Sequence, residues 1–169
     1  EGGAIAVERK VVGFKLGGEE FAFDIMRVVE IIKIKEITEV PTAPSFIEGV
    51  INLRGKIIPI IDLRRRFKME GRERDKKFRI IIVELRKSQL VGVIVDEVEK
   101  VMVVQDGQMM SPPATVTEAG ARYIEAVAKI EDRIVVILEI EKIFSEEEQE
   151  GLKDINEMDG GKIEESTDS

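Results

Sequence analysis

A period of two runs through most of this chain. Val12, Phe14 and Leu16 alternate with Val11, Gly13 and Lys15, the spacing of a strand with two unlike faces. Gly17-Gly18 marks a tight turn, and Phe21, Phe23 and Ile25 resume the alternation, so the first two strands are predicted to pair as a hairpin. The pattern blurs over 25–29, where a short helical turn fits. Ile31, Ile32 and Ile34 then open a third strand, Ile37 and Val40 extend the apolar spacing, and Pro41 and Pro44 punctuate it. Later, 78–85 is a β-branched run, 90–104 reads as one long strand region, and two more strands come at 124–130 and 134–140. Gly92, inside the long region, marks a bulge or a close approach of backbone.

Between Pro44 and Leu63 the rhythm changes. Ser45 is placed to cap a helical turn over 46–48 that Gly49 would end. Val50, Ile51 and Leu53 lead into Arg54-Gly55-Lys56, a tight turn, and 57–61 forms the returning strand. Gly49 and Gly55 read as turn positions with positive φ. Pro59 has no N–H to give, which predicts a sheet edge or a bulge. Asp62 is placed to cap a short helix over 63–67. Near the end, Ser145 and Glu148 fit a capping box for a helix over 145–158, with Glu146 and Glu147 favoured by the helix dipole. Residues 1–8 read as a flexible lead, 106–121 as a loop, and 159–169 as an acidic disordered tail.

Nine or ten short strands without alternating full helices predict an all-β protein. So many strands are too many for one small barrel, while half the chain alone is marginal in size. Two five-stranded β-barrels sharing a hydrophobic core is the economical arrangement.

Composition narrows the chemistry. The chain has 169 residues and neither Cys nor His, which removes thiolates, disulfides, the commonest general base and the commonest metal ligand. No apolar run is long enough to span a bilayer, so no membrane insertion is expected. The start carries no signal pattern, so export is not expected, and the missing initiator Met suggests that a short stretch precedes it. The net charge of −8 is concentrated: residues 145–169 hold ten acids and two bases, and the rest of the chain is neutral. A balanced body gives no reason to expect nucleic acid.

Candidate chemistry is correspondingly thin. Asp24, Asp62 and Asp96 each end an apolar run, where carboxylates cap turns. No nucleophile elbow or phosphate-cradling loop is present, and no cofactor is expected. The segment 64–79 has nine Lys/Arg against three acids and reads as a solvated link. Met109-Met110 suits either an adaptable protein surface or a plug that tucks a loop onto the core. Arg54, at a turn tip, either presents its guanidinium to a partner's carboxylate or pairs within the chain, for instance with Glu48.

These residues carry a resemblance. Pro44-x-Phe46-Ile47-x-Gly49-Val50-x-Asn52-Leu53-Arg54-Gly55, then Pro59-x-x-Asp62-Leu63, is similar to the CheW family of chemotaxis coupling proteins. Gly17-x-Glu19-Glu20-Phe21, Asp24-Ile25, Val28-x-Glu30-Ile31 and Gly92-x-x-Val95-Asp96-x-Val98 extend the match over 11–144. The resemblance implies two intertwined SH3-like barrels and a non-enzymatic adaptor in the cytoplasm, recruited to membrane-associated receptor arrays. The adaptor would couple the cytoplasmic hairpin tips of chemoreceptors to the regulatory domain of the histidine kinase CheA. It carries a receptor-facing role to Val28, Glu30, Gly49, Arg54 and Val101, and a shaping role to Asn52, Gly55 and Asp62. A kinase-facing role falls loosely near Gly92, Met109 and Met110. No kinase or receiver domain fits after Phe144, and the acidic extension is given no role. The competing reading is a small-ligand or general protein-binding barrel with its pocket between the barrels.

Overall fold

The computed structural model describes residues 8–110 and 123–158. The expectations for the first seven residues, for 111–122 and for 159–169 lie outside the described residues. Within them, eleven strands form two sheets. β1 (Glu8–Leu16) and β2 (Glu19–Asp24) are the predicted hairpin, closed at Gly17-Gly18 with φ of 58° and 86°. Asp24 then caps a 3-10 turn, Ile25–Arg27, by accepting from the Met26 N–H at 2.9 Å. β3 (Val28–Lys33), β4 (Gly49–Leu53), β5 (Lys56–Asp62), β6 (Arg79–Glu84) and β7 (Leu90–Val95) make a five-stranded sheet of order β3-β6-β7-β5-β4. β8 (Glu97–Gln105), β9 (Met109–Met110), β10 (Ile124–Ile130) and β11 (Arg133–Leu138) return to the first hairpin, giving order β8-β1-β2-β11-β10-β9. The first sheet is therefore built from both ends of the chain, with the second inserted between them.

Two pairings are parallel, β2 with β11 and β5 with β7, and both join strands distant in sequence. The five-stranded sheet curls until its edges meet: Thr38, beyond β3, exchanges backbone hydrogen bonds of 2.8 Å in both directions with Val50 of β4. Three apolar clusters result. One, with Val11, Ala22, Met102, Val104, Ala128, Val135 and Ile137, belongs to the six-stranded sheet. One, with Ile51, Ile58, Ile60, Phe78, Ile80, Ile82 and Ile94, belongs to the five-stranded sheet. The largest lies between them and draws on both, from Phe14, Phe21 and Phe23 to Ile61, Val83 and Val93. Helix α1 (Leu63–Arg66) comes directly after β5, with Asp62 accepting from the Arg64 N–H at 3.0 Å. Helix α2 (Glu146–Asn156) has the predicted capping box and seals the central cluster with Leu152 and Ile155. At its end the Asn156 side chain accepts from the Leu90 N–H at 2.7 Å and donates to the Leu90 and Ile57 carbonyls, tying α2 to β5 and β7.

Five expectations are corrected. The two sheets have six and five strands rather than five each, because Met109-Met110 is not in a loop: it forms a two-residue edge strand against β10. The region 90–104 is two strands in different sheets, because the chain crosses at Asp96. No helix forms over 46–48; the segment is a turn, with the Ile47 N–H donating to the Pro44 carbonyl at 3.1 Å. Gly49 has no positive φ. It begins β4, and a Cβ there would stand 2.6 Å from both Ile37 Cγ2 and the Thr38 carbonyl oxygen, so only hydrogen fits under the closing segment. Pro59 lies on an internal strand, but the ladder to β7 starts at Ile60, so its missing N–H falls outside that ladder.

Candidate functional site

The sharpest surface feature grows from the β4–β5 turn. Arg54 and Gly55 have φ of 53° and 86°, the geometry of a two-residue hairpin turn that asks for positive φ at both central residues. The same geometry at Gly17-Gly18 is met with two glycines. At the second turn the first position is an arginine, in a region that costs an L-residue about 1–2 kcal/mol. The Asn52 side chain accepts from the Gly55 N–H at 2.9 Å and steadies the turn. Arg54 reaches across the seam where the curled sheet closes and forks onto Glu30 of β3, with one bond at 3.5 Å and a shorter one through Nη2. The guanidinium thus both points outward, with the side chain 69% exposed, and pairs within the chain. Its partner is Glu30 rather than Glu48, which is held by Arg74 at 2.5 Å.

The other receptor-facing candidates divide between the sheets. Glu30 and Arg54 meet at the closing seam, Gly49 is buried at the other end of β4 beneath Ile37 and Thr38, and Val28, on the same strand as Glu30, is half-buried against the central cluster. Val101 is on β8, the edge of the other sheet, opposite Val12 and exposed. Of the shaping residues, Asn52 and Gly55 build the turn and Asp62 caps α1 while also accepting from Arg74 at 3.3 Å. The kinase-facing candidates do not come together. Gly92 is buried in the five-stranded sheet, where a Cβ would stand 2.5 Å from Ile60 Cδ1 and 2.8 Å from Ile80 Cγ2. It offers no surface, whereas Met109 and Met110 lie on the far edge of the other sheet. Met109 packs on that sheet's own cluster and Met110 is exposed, so each member of the pair takes one of the two readings.

Sequence reasoning missed two features. Val29 and Ile31 put exposed apolar side chains on the outer side of β3, the face opposite Val28 and Glu30, and Met26, at 85% exposure, lies in the 3-10 turn just before it. The run Val28–Lys33 is apolar on both faces, so its sequence does not say which face turns outward; the sheet's curl decides that. The arginines of 64–79 are also more than a solvated link. Arg66 donates to the Ile143 carbonyl, pairs with Glu148 and lies 5.6 and 5.7 Å from the ring centres of Phe46 and Phe144. Arg64 is buried and donates from Nε and Nη2 to Asp96 at 2.7 and 2.5 Å. Burial pushes the Asp96 carboxyl up, but the Arg64 guanidinium and the Gly17 N–H outweigh it and hold the group below the usual carboxylate range. The hydrogen bond to Asp96 in turn raises Arg64.

Among the described residues no group of His, Cys, Asp and Glu could hold a metal, and no helix is long and apolar enough to cross a membrane. The class these features define is an all-β domain of two sheets that share one core and present charged and apolar rims. Residues 10–148 match the model of the CheW-like domain, and the chain belongs to that family. The chemotaxis protein CheW of Treponema pallidum is 37% identical over 152 residues, covering 86% of this chain and 88% of that protein. That of Bacillus subtilis is 35% identical, covering 85% and 91%. The crystal structure of the scaffolding protein TtCheW from Thermoanaerobacter tengcongensis superposes with a TM-score of 0.74 at 41% identity, over 82% of this chain and 94% of that one.

Proposed function

We propose that this protein is a non-enzymatic scaffold of chemotaxis, acting in the cytoplasm at membrane-associated receptor arrays. It couples the hairpin tips of chemoreceptors to the regulatory domain of a CheA-type histidine kinase. Family membership and relatives named as chemotaxis and scaffolding proteins support this reading. The observation that carries the receptor-facing role is Arg54: a guanidinium held outward in a strained backbone conformation, where glycine or asparagine would be easier. Positive φ recurs at Lys68, Ser88 and Glu131, so the outward, partly exposed guanidinium rather than the strain points to recognition. Its fork onto Glu30 pre-orients the arginine, and a receptor carboxylate would share or replace that partner.

The receptor-facing set is then Val28, Glu30, Gly49, Arg54 and Val101, with Gly49 contributing closeness of backbone rather than a turn. The kinase-facing surface includes the exposed edge at Met110. A small-ligand pocket between the sheets is disfavoured because the central cluster fills that space. The depression at its end, about 350 Å³, is lined by Arg9, Arg27 and Arg86, each already bonded to a carboxylate.

The test is titration of the protein with a receptor hairpin tip and, separately, with a CheA regulatory domain. Arg54→Ala should weaken tip binding about tenfold, the 1.4 kcal/mol of one charge-assisted contact, and leave kinase binding and folding intact. Unchanged tip binding would remove Arg54 from the interface.

A further inference from the structure

The chain passes from the five-stranded to the six-stranded sheet through a single residue, Asp96, between β7 and β8. That residue is buried and bonded in four directions. Its N–H donates to the Lys15 carbonyl of β1 at 3.1 Å. Its carboxylate accepts from the Gly17 N–H of the β1–β2 turn at 2.9 Å and from Arg64 at 2.7 and 2.5 Å, with Arg72 Nη1 at 3.6 Å. Lys15 and Gly17 belong to the six-stranded sheet. Arg64 belongs to α1, next to β5 of the other sheet, and its remaining nitrogen donates to the Glu70 carbonyl at 2.7 Å. Arg64 and Asp96 are the only buried charged residues among those described. Burial of the shared apolar cluster is non-directional and would permit a range of angles between the sheets. A guanidinium forked onto a carboxylate is directional and selects one.

We propose that Asp96 is a positioning residue: clamped by Arg64 on one sheet and by Lys15 and Gly17 on the other, it fixes the angle between the sheets and hence the separation of the Arg54–Glu30 seam from Val101. The functional consequence rests on the receptor-facing reading above, because that set spans both sheets; the geometric consequence does not.

The chain has no cysteine, so Lys56→Cys on β5 and Lys100→Cys on β8, both exposed, can carry spin labels without background. In the otherwise unaltered protein the distance distribution should be single and narrow. Asp96→Asn, equal in size but unable to accept from both Arg64 nitrogens and Gly17, should widen or shift it about twofold in width, and receptor-tip affinity should fall about tenfold through lost preorganisation. Arg72→Ala, which removes the most distant cation, should change neither. A folded Asp96→Asn protein with the original distribution overturns the proposal; so does a widened distribution with unchanged tip affinity, as regards receptor positioning. If Asp96→Asn does not fold, Arg64→Lys, which keeps the charge and loses the fork, is measured by the same criteria. Failure of the parent protein to bind the tip would strike the receptor reading alone, since the distance measurement needs no partner.

Discussion

Two arginine–carboxylate pairs of the same chemistry occupy opposite environments in this protein. Arg54–Glu30 lies on the exposed rim and Arg64–Asp96 in the buried crossing between the sheets. The first is solvated on one side and screened by salt, and pairs of that kind contribute about 0–1 kcal/mol. The second has little exposed surface, although Asp96 also borders a shallow depression with Lys15, Arg72 and Asp75. Breaking one partner of a buried pair costs up to about 3–5 kcal/mol, because a buried charge is left alone. The rim pair can be borrowed by a partner protein at little cost to the fold. The buried pair cannot, and as the proposed clamp it has an orienting role. The same side-chain pairing is therefore open to a partner at the exposed rim and closed to one at the buried crossing.

The comparison is broken most severely at Asp96. Asp96→Ala should lower stability by about 3–5 kcal/mol in urea unfolding at neutral pH, the largest effect of the set. The sign of the pH dependence is fixed by the same pair. The Asp96 carboxyl is held below its ordinary value in the folded protein, so its contribution is present above the unfolded pKa and is lost as pH falls through the folded one. Melts of the two proteins should differ most at pH 6–7, and the gap should narrow below about pH 4. A gap that widens in acid would reverse the assignment.

Gly49 separates packing from recognition beneath the rim. A Cβ at 2.6 Å from Ile37 and Thr38 should make Gly49→Ala destabilising by about 1–3 kcal/mol, with any loss of receptor binding tracking the shifted seam. Circular dichroism melts read the first effect and titration the second. A stable Gly49→Ala protein with lost binding would make Gly49 a contact in its own right.

Arg54→Gly sharpens the contrast. It relieves the positive-φ strain and removes the rim pair, terms of about 1 kcal/mol each and opposite in sign, so the melting temperature should barely move while tip binding falls. The smallest effect belongs to Glu30→Gln, about 0.5 kcal/mol or less in stability and diminishing with added salt. An effect there as large as that of Asp96→Ala would erase the distinction between the two pairs.

Much of the fold was legible because it is local. The β1–β2 hairpin, the 3-10 turn after Asp24, the Arg54-Gly55 turn, the Asp62 cap and the Ser145–Glu148 box each depend on residues a few positions apart. The parallel pairings of β2 with β11 and β5 with β7 were not legible, since strand periodicity says which faces are apolar and nothing about which strand lies alongside. The break at Asp96 was hidden because apolar alternation continues through it while the chain changes sheets. At the candidate site, Arg54 stood out by its place at a turn tip. Its partner did not, because Glu30 is distant in sequence and arrives only when the sheet closes on itself.

Local chemistry thus settled from the sequence alone that this chain is all-β, with neither Cys nor His for catalysis, an arginine at the tip of a tight turn and a capped final helix. Tertiary structure decided what those parts meet. The curl brought Glu30 under Arg54, the close approach of Thr38 gave Gly49 its reason, and the crossing between sheets turned a strand-end aspartate into a buried clamp. The physical reason is range: turns and caps are satisfied by neighbours along the chain, whereas closure, burial and ion pairing are settled among groups that only the folded backbone brings together.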